Sequence, residues 1–372
     1  MKERMEMEYK RERVLFLDVA RAVAIISVVF GHSVECFYYM YQDRSILWGI
    51  LGGTSRAFDI ISITFGRLGV PIFLFLTGAL VLNKKFENGN DCVRFYKKSF
   101  LPLLITMELW IVIWNLFLLG YRSMGGETAA VTFENVLKCV MFQKRVDTIM
   151  PAWYIPTIIG IYLFLPPVAI AVSKLPLRSM ALPLTVAGVI FFGVPTANLF
   201  LSIGGGNQIE PSYLDVGFSG GTFGVYILVG YWIYSGALKK IPSAVVGGIG
   251  ILAFAGCVAL QYLMMEAGYP YKLEYNVLIL LVCGTCVFEL FKRIPNSKIP
   301  CPRVCTYLSR ISLAIFFLHN PIQYTVYLSG VLSGFRRPVA SVLMFVISFG
   351  LSVLFTWLLG MIRPIRSYIG IK

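Results

Sequence analysis

Histidine is nearly missing from this chain, with two in 372 residues, and acidic side chains are few, 19 against 33 Lys and Arg. The single Cys-x-x-Cys, Cys283 to Cys286, has no second pair and no histidine nearby, so no zinc site is legible. The eight cysteines are scattered through apolar sequence and read as small packing residues. Charge of either sign is scarce, 14% against 57% hydrophobic residues, which places the chain among polytopic membrane proteins. No stretch reads as a separate soluble domain, and no internal repeat is visible, which counts against a transporter of duplicated halves. No small-residue cleavage pattern follows the charged N-terminus, so the first apolar run reads as an uncleaved span. A net charge of +14 invites a nucleic-acid partner, but the basic residues sit in short segments between apolar runs.

What is present is a series of ten apolar segments of spanning length. They lie near 14–40, 57–82, 99–120, 152–172, 180–198, 222–238, 243–265, 274–291, 306–328 and 338–362. With the N-terminus in the cytoplasm, strict alternation puts 21 Lys and Arg on that side and 9 on the other, leaving Arg21, Arg67 and Arg310 inside spans. The expectation is one all-α integral membrane bundle of about ten helices with both termini cytoplasmic. Residues 1–13 form a basic cytoplasmic tail, 14–362 the transmembrane domain and 363–372 a C-terminal tail.

The first helix carries Asp18, Arg21, His32 and Glu35. At about 100° per residue, Arg21 and His32 fall within about 20° of each other, and adding Asp18 and Glu35 widens the sector only to about 100°. Charges in a span normally face a polar interior and often mark a functional site, although Asp18 could simply neutralise Arg21 at the membrane edge. Histidine carries protons near neutral pH, and a general base needs a partner that holds its tautomer. For His32 that partner is Glu35 one turn on or Asp18. Counting from Arg13 at about 1.5 Å per residue places His32 in the outer half of the membrane. His319, near mid-membrane, is either a second functional imidazole or a buried histidine satisfied by a backbone carbonyl.

Three further stretches stand out. In Arg67 to Gly78, Pro71 removes an amide donor and predicts a kink or local opening, while Thr77-Gly78 offers either ligand access or a packing notch. Trp153 and Tyr154 suit an interfacial aromatic belt or a platform for a sugar ring. The basic run Arg94 to Lys98, with Lys97 and Lys98, is a solvated loop or a holder of donor phosphates.

Taken in order, these landmarks resemble the membrane-bound acyltransferase 3 family, which includes bacterial O-acetyltransferases of envelope polysaccharides. Leu17, Asp18, Arg21 and His32 match its first signature; Gly69-Val70-Pro71, Phe73, Phe75 and Thr77-Gly78 match its second. The basic stretch ending at Pro102, the run Trp153-Tyr154, Tyr162 and Pro166, and Ser312 to His319 follow. Thr77 stands where the family usually has Ser, and Lys97-Lys98-Ser99 where it is Arg-rich; Lys lacks the bidentate fork of Arg.

The resemblance implies a multi-pass protein of a bacterial-type inner or plasma membrane. It would move an acyl group, acetyl first in expectation, from cytoplasmic acyl-CoA to a hydroxyl of a cell-envelope glycan or lipid-linked sugar. No resident cofactor or metal is implied. His32 would act on the acceptor hydroxyl, Arg21 would neutralise charge or hold phosphate, and Asp18 and Glu35 would orient. Arg67, Thr77, Gly78, Lys97, Lys98, Trp153, Tyr154 and His319 would contact donor or acceptor. A cavity lined by Arg21, His32, Arg67 and His319 would join the two sides. The competing reading is a transporter or flippase for an envelope lipid or polysaccharide, which intramembrane Arg and His also suit.

Overall fold

A computed structural model of the chain describes residues 14–39, 44–125, 131–146, 148–210, 212, 220–269 and 272–362. The expected tails at 1–13 and 363–372 lie outside the described residues. The fold is an all-helical bundle. Among the described residues its long helices are α1 (Leu15–Tyr38), α2 (Gly53–Leu82), α3 (Gly89–Ser123), α4 (Met150–Ser173), α5 (Leu177–Ile203), α6 (Gly221–Tyr234), α7 (Ser243–Glu266), α8 (Leu278–Lys292), α9 (Pro302–Leu328) and α10 (Arg337–Gly360). Each coincides with one of the apolar segments, and short helices at Arg44–Ile50 and Phe133–Val140 are additions.

Seven of these helices are long and apolar enough to cross a membrane. At 14 and 15 residues, α6 and α8 rise only about 21 to 23 Å, short of a hydrocarbon core of about 30 Å. The 27 residues of α9 are long enough, but this helix carries the buried polar side chains Ser309, Ser312, His319, Asn320 and Gln323. Polarity and shortness are therefore concentrated in helices that pack inside the bundle.

All four apolar clusters among the described residues take residues from α1. Phe16, Ala20 and Ala24 join one, Ile25 and Val29 a second, Val34 and Tyr38 a third, and Cys36 the fourth. Small residues let α2 approach it closely. A Cβ on Gly66 would come within 2.7 Å of the Gly31 Cα, so the two backbones meet at this glycine pair. Ser27 Oγ closes the same crossing by donating to the Phe65 carbonyl at 2.7 Å.

Proline breaks are met by side chains. The expected interruption in α2 falls at Leu68, three residues before Pro71, where the backbone tightens and Leu68 N–H reaches the Phe65 carbonyl. Pro321 in α9 leaves the Phe317 carbonyl without its helical donor, and the fully buried Trp114 indole donates to it at 3.0 Å. Pro167 in α4 does the same to Leu163, whose carbonyl takes the Tyr96 hydroxyl at 2.9 Å. The Trp114 bond, which is buried, spares about 1–3 kcal/mol for a polar group left unpaired. The Cys283–Cys286 pair lies buried on α8, with the Cys283 thiol 3.9 Å from the Gly250 carbonyl of α7, consistent with packing residues.

Candidate functional site

The glycine crossing of α1 and α2 sets the site. Because Gly31 abuts Gly66, their neighbours His32 and Arg67 open into one cavity of about 400 Å³. Glu35, Arg145, Trp153, Lys272 and Tyr275 complete its polar and aromatic wall. A second cavity of about 150 Å³ lies towards the N-terminal end of α1, lined by Arg21, Thr77, Tyr162, Ser309 and Arg310. The two share Val28, Val70, Tyr154 and Phe316, which stand between them as a common wall. Eleven helical residues separate Arg21 from His32, a rise of about 16 Å. The single joined cavity expected from sequence is thus a pair of chambers, and His319 lines neither.

His319 instead backs His32. It is fully buried, and its Nδ1 lies 3.0 Å from the Ile315 carbonyl, which can only accept, so Nδ1 carries the proton. Its Nε2 is then an acceptor, and it faces His32 Nδ1 at 2.9 Å with the rings nearly coplanar, 2° apart. His32 Nδ1 must therefore be the donor, which leaves the lone pair of neutral His32 on Nε2. Of the two alternatives for His319, the structure shows the buried histidine satisfied by a backbone carbonyl, and its bond to His32 fixes the tautomer of that neighbour.

On the other side of His32, Glu35 Oε2 lies 3.9 Å from Nε2, beyond hydrogen-bond distance, and is buried without a hydrogen-bond partner. Glu35 Oε1 accepts from Lys272 Nζ at 3.0 Å. Asp18 is not the orienter. It sits 14 residues from His32, about 21 Å along α1, and accepts from Thr306 Oγ1 of α9 at 3.1 Å.

The remaining candidates divide. Arg21 donates to Ser309 Oγ at 3.4 Å in the smaller chamber, and Thr77 lines the same chamber while donating to the Phe73 carbonyl at 3.0 Å. Gly78 lines neither chamber and packs against α6, where a Cβ would fall 1.9 Å from the Ile227 carbonyl oxygen. Lys97 and Lys98 are exposed on the wide turn Tyr96–Phe100 and reach neither chamber. Trp153 stacks on Phe223 at 5.6 Å and lies 5.4 Å from Tyr275, and all three rings line the larger chamber. Tyr154 belongs to the shared wall.

Sequence reasoning missed Lys272, Arg145 and Tyr275. Lys272 is 237 residues from Glu35, so no local spacing pairs them. The one available signal was a lone lysine in a short connection between apolar runs.

Residues 14–361 match the family model described as an acyltransferase domain, the acyltransferase 3 family. No curated protein and no solved structure matches the chain.

Proposed function

This chain belongs to the acyltransferase 3 family and is a multi-pass membrane acyltransferase; from that premise we propose that it moves an acyl group, acetyl in our reading, from cytoplasmic acyl-CoA to a hydroxyl of a cell-envelope glycan or lipid-linked sugar. The observation that carries this reading is the pair of chambers meeting at Val28, Val70, Tyr154 and Phe316, with the His32 imidazole in the larger one, beside Arg67, Arg145 and Lys272, and the guanidinium groups of Arg21 and Arg310 in the smaller. The donor enters by the smaller chamber, where Arg21 and Arg310 hold its phosphates and the thioester arm crosses the shared wall. The acceptor enters the larger one.

His32 Nε2 takes the proton of the acceptor hydroxyl as its oxygen attacks the thioester carbonyl. The carbon–sulfur bond breaks, and the proton passes from Nε2 to the leaving thiolate. While the proton rests on His32, Glu35 Oε2 at 3.9 Å stabilises the imidazolium. At about 16 Å from His32, Arg21 serves the donor and not the charge that develops at the carbonyl.

The test is incubation of purified protein in lipid with acetyl-CoA labelled in the acetyl group and extracted envelope glycans. Label in the glycan is the expected result. Glycan or lipid moved across the bilayer without label would support the flippase instead. Filling the shared wall gives a sharper check. Val28→Trp is expected to lower transfer by on the order of 100-fold in protein that still elutes as one monodisperse species, since small misplacements of reacting groups have that cost. An unchanged rate in that variant would remove the two-chamber route.

A further inference from the structure

We infer that the acceptor is an acidic sugar, and that Arg67 binds its carboxylate or phosphate in the larger chamber; this rests on the acyltransferase reading above. Arg67 is only 8% exposed, and its Nε is buried without a hydrogen-bond partner. Its guanidinium lies 3.6 Å over the Tyr275 ring, and its one ion pair among the described residues is a 3.8 Å contact with Glu274, a side chain 71% exposed. A buried guanidinium is normally paired and hydrogen-bonded, because desolvating it otherwise costs too much. Here Nε is left without an acceptor and Nη2 has only the 3.8 Å contact with Glu274, beside the cavity, an arrangement that a bidentate anion completes.

The other charges of the chamber leave that role open. Lys272 is neutralised by Glu35 at 3.0 Å. Arg145 lines the mouth as an exposed side chain with no ion-pair partner among the described residues, adding a second cation to the path of entry. The wall formed by Trp153, Phe223 and Tyr275 supplies apolar rings on which a sugar face can stack. The anion belongs to the acceptor because the phosphates of a CoA thioester lie at the far end from its acyl group, and the guanidinium groups of Arg21 and Arg310 line the opposite chamber.

The experiment is calorimetric titration of the full chain in lipid nanodiscs, without donor, using glucuronic acid, glucose 6-phosphate and glucose. At least one acid is expected to bind about 10-fold or more tighter than glucose, as for one charge-assisted bidentate contact. Arg67→Gln should erase the difference and Arg67→Lys should keep part of it. Arg145→Gln, an exposed position with little risk to folding, should weaken the acids several-fold. Equal binding of all three sugars, no binding of any, or a preference that survives Arg67→Gln in well-folded protein would overturn the proposal. In a second titration with the two donors in place of the sugars, a loss in Arg67→Gln confined to succinyl-CoA relative to acetyl-CoA would also overturn it, by placing the anion on the acyl group. An intact acid preference without acyl transfer to any acceptor would instead sink the transferase reading and leave this site standing.

Discussion

Replacing His32 with alanine is expected to lower acyl transfer by at least about 100-fold, the minimum contribution of a positioned general base. The imidazole keeps its Nε2 lone pair for the larger chamber, because its Nδ1–H donates to His319. Truncation also leaves His319 Nε2 buried without its donor, at about 1–3 kcal/mol. Thermal unfolding and membrane insertion must therefore be compared alongside, with His32→Gln as a second variant of nearer size. Full activity in either variant would end the proposed role. His319→Gln is expected to be milder, on the order of 10-fold. As a positioning residue, its signature is a shifted pH–rate profile with donor KM unchanged, since the Gln amide can turn either its oxygen or its NH2 to His32 Nδ1 and so no longer fixes the His32 tautomer. A purely structural His319 would lower the yield of folded protein and leave the profile of the survivors in place.

Gly78→Val is expected to prevent assembly of the bundle altogether. The added Cβ would meet the Ile227 carbonyl oxygen at 1.9 Å, with the Ile227 carbonyl carbon and Tyr231 nitrogen at 2.9 Å. These are backbone atoms and cannot rotate aside. The crossing is tight in both directions, since a Cβ on Gly230 of α6 would lie 2.4 Å from the Phe75 carbonyl oxygen. Helices α2 and α6 would have to separate, at about 3 kcal/mol or more. Size-exclusion chromatography should show little monodisperse protein. Folded Gly78→Val that fails only to bind acyl-CoA would instead return Gly78 to the donor site. Thr77→Ser is the control one residue away: its hydroxyl stays in the smaller chamber, and fold and activity should both persist.

Much of the fold could be read directly, and the exceptions have definite causes. Helix positions followed the apolar runs because hydrocarbon tolerates only internally bonded backbone. The ends moved where capping and loop chemistry, which hydropathy does not register, took over: α3 begins at Gly89, with the Asn88 side chain accepting from the Asn90 and Asp91 amides, not near 99. The interruption ahead of Pro71 was legible from the missing amide, whereas the hydroxyl and indole that answer Pro167 and Pro321 come from distant helices.

The same division runs through the site. Sequence by itself determined that α1 carries a buried polar face with Arg21 and His32 on one side, because a helix turns by a constant angle and membranes penalise stray charge. It also determined membership of the acyltransferase family, through the order and spacing of its motifs. Only the tertiary structure decided that His32 is partnered by His319 rather than Asp18, that Glu35 is held by Lys272, and that Thr77 faces a chamber while Gly78 faces α6. Those choices depend on which helices touch and at what rotation. Neighbours in sequence point about 100° apart, and partners in space lie more than 200 residues away.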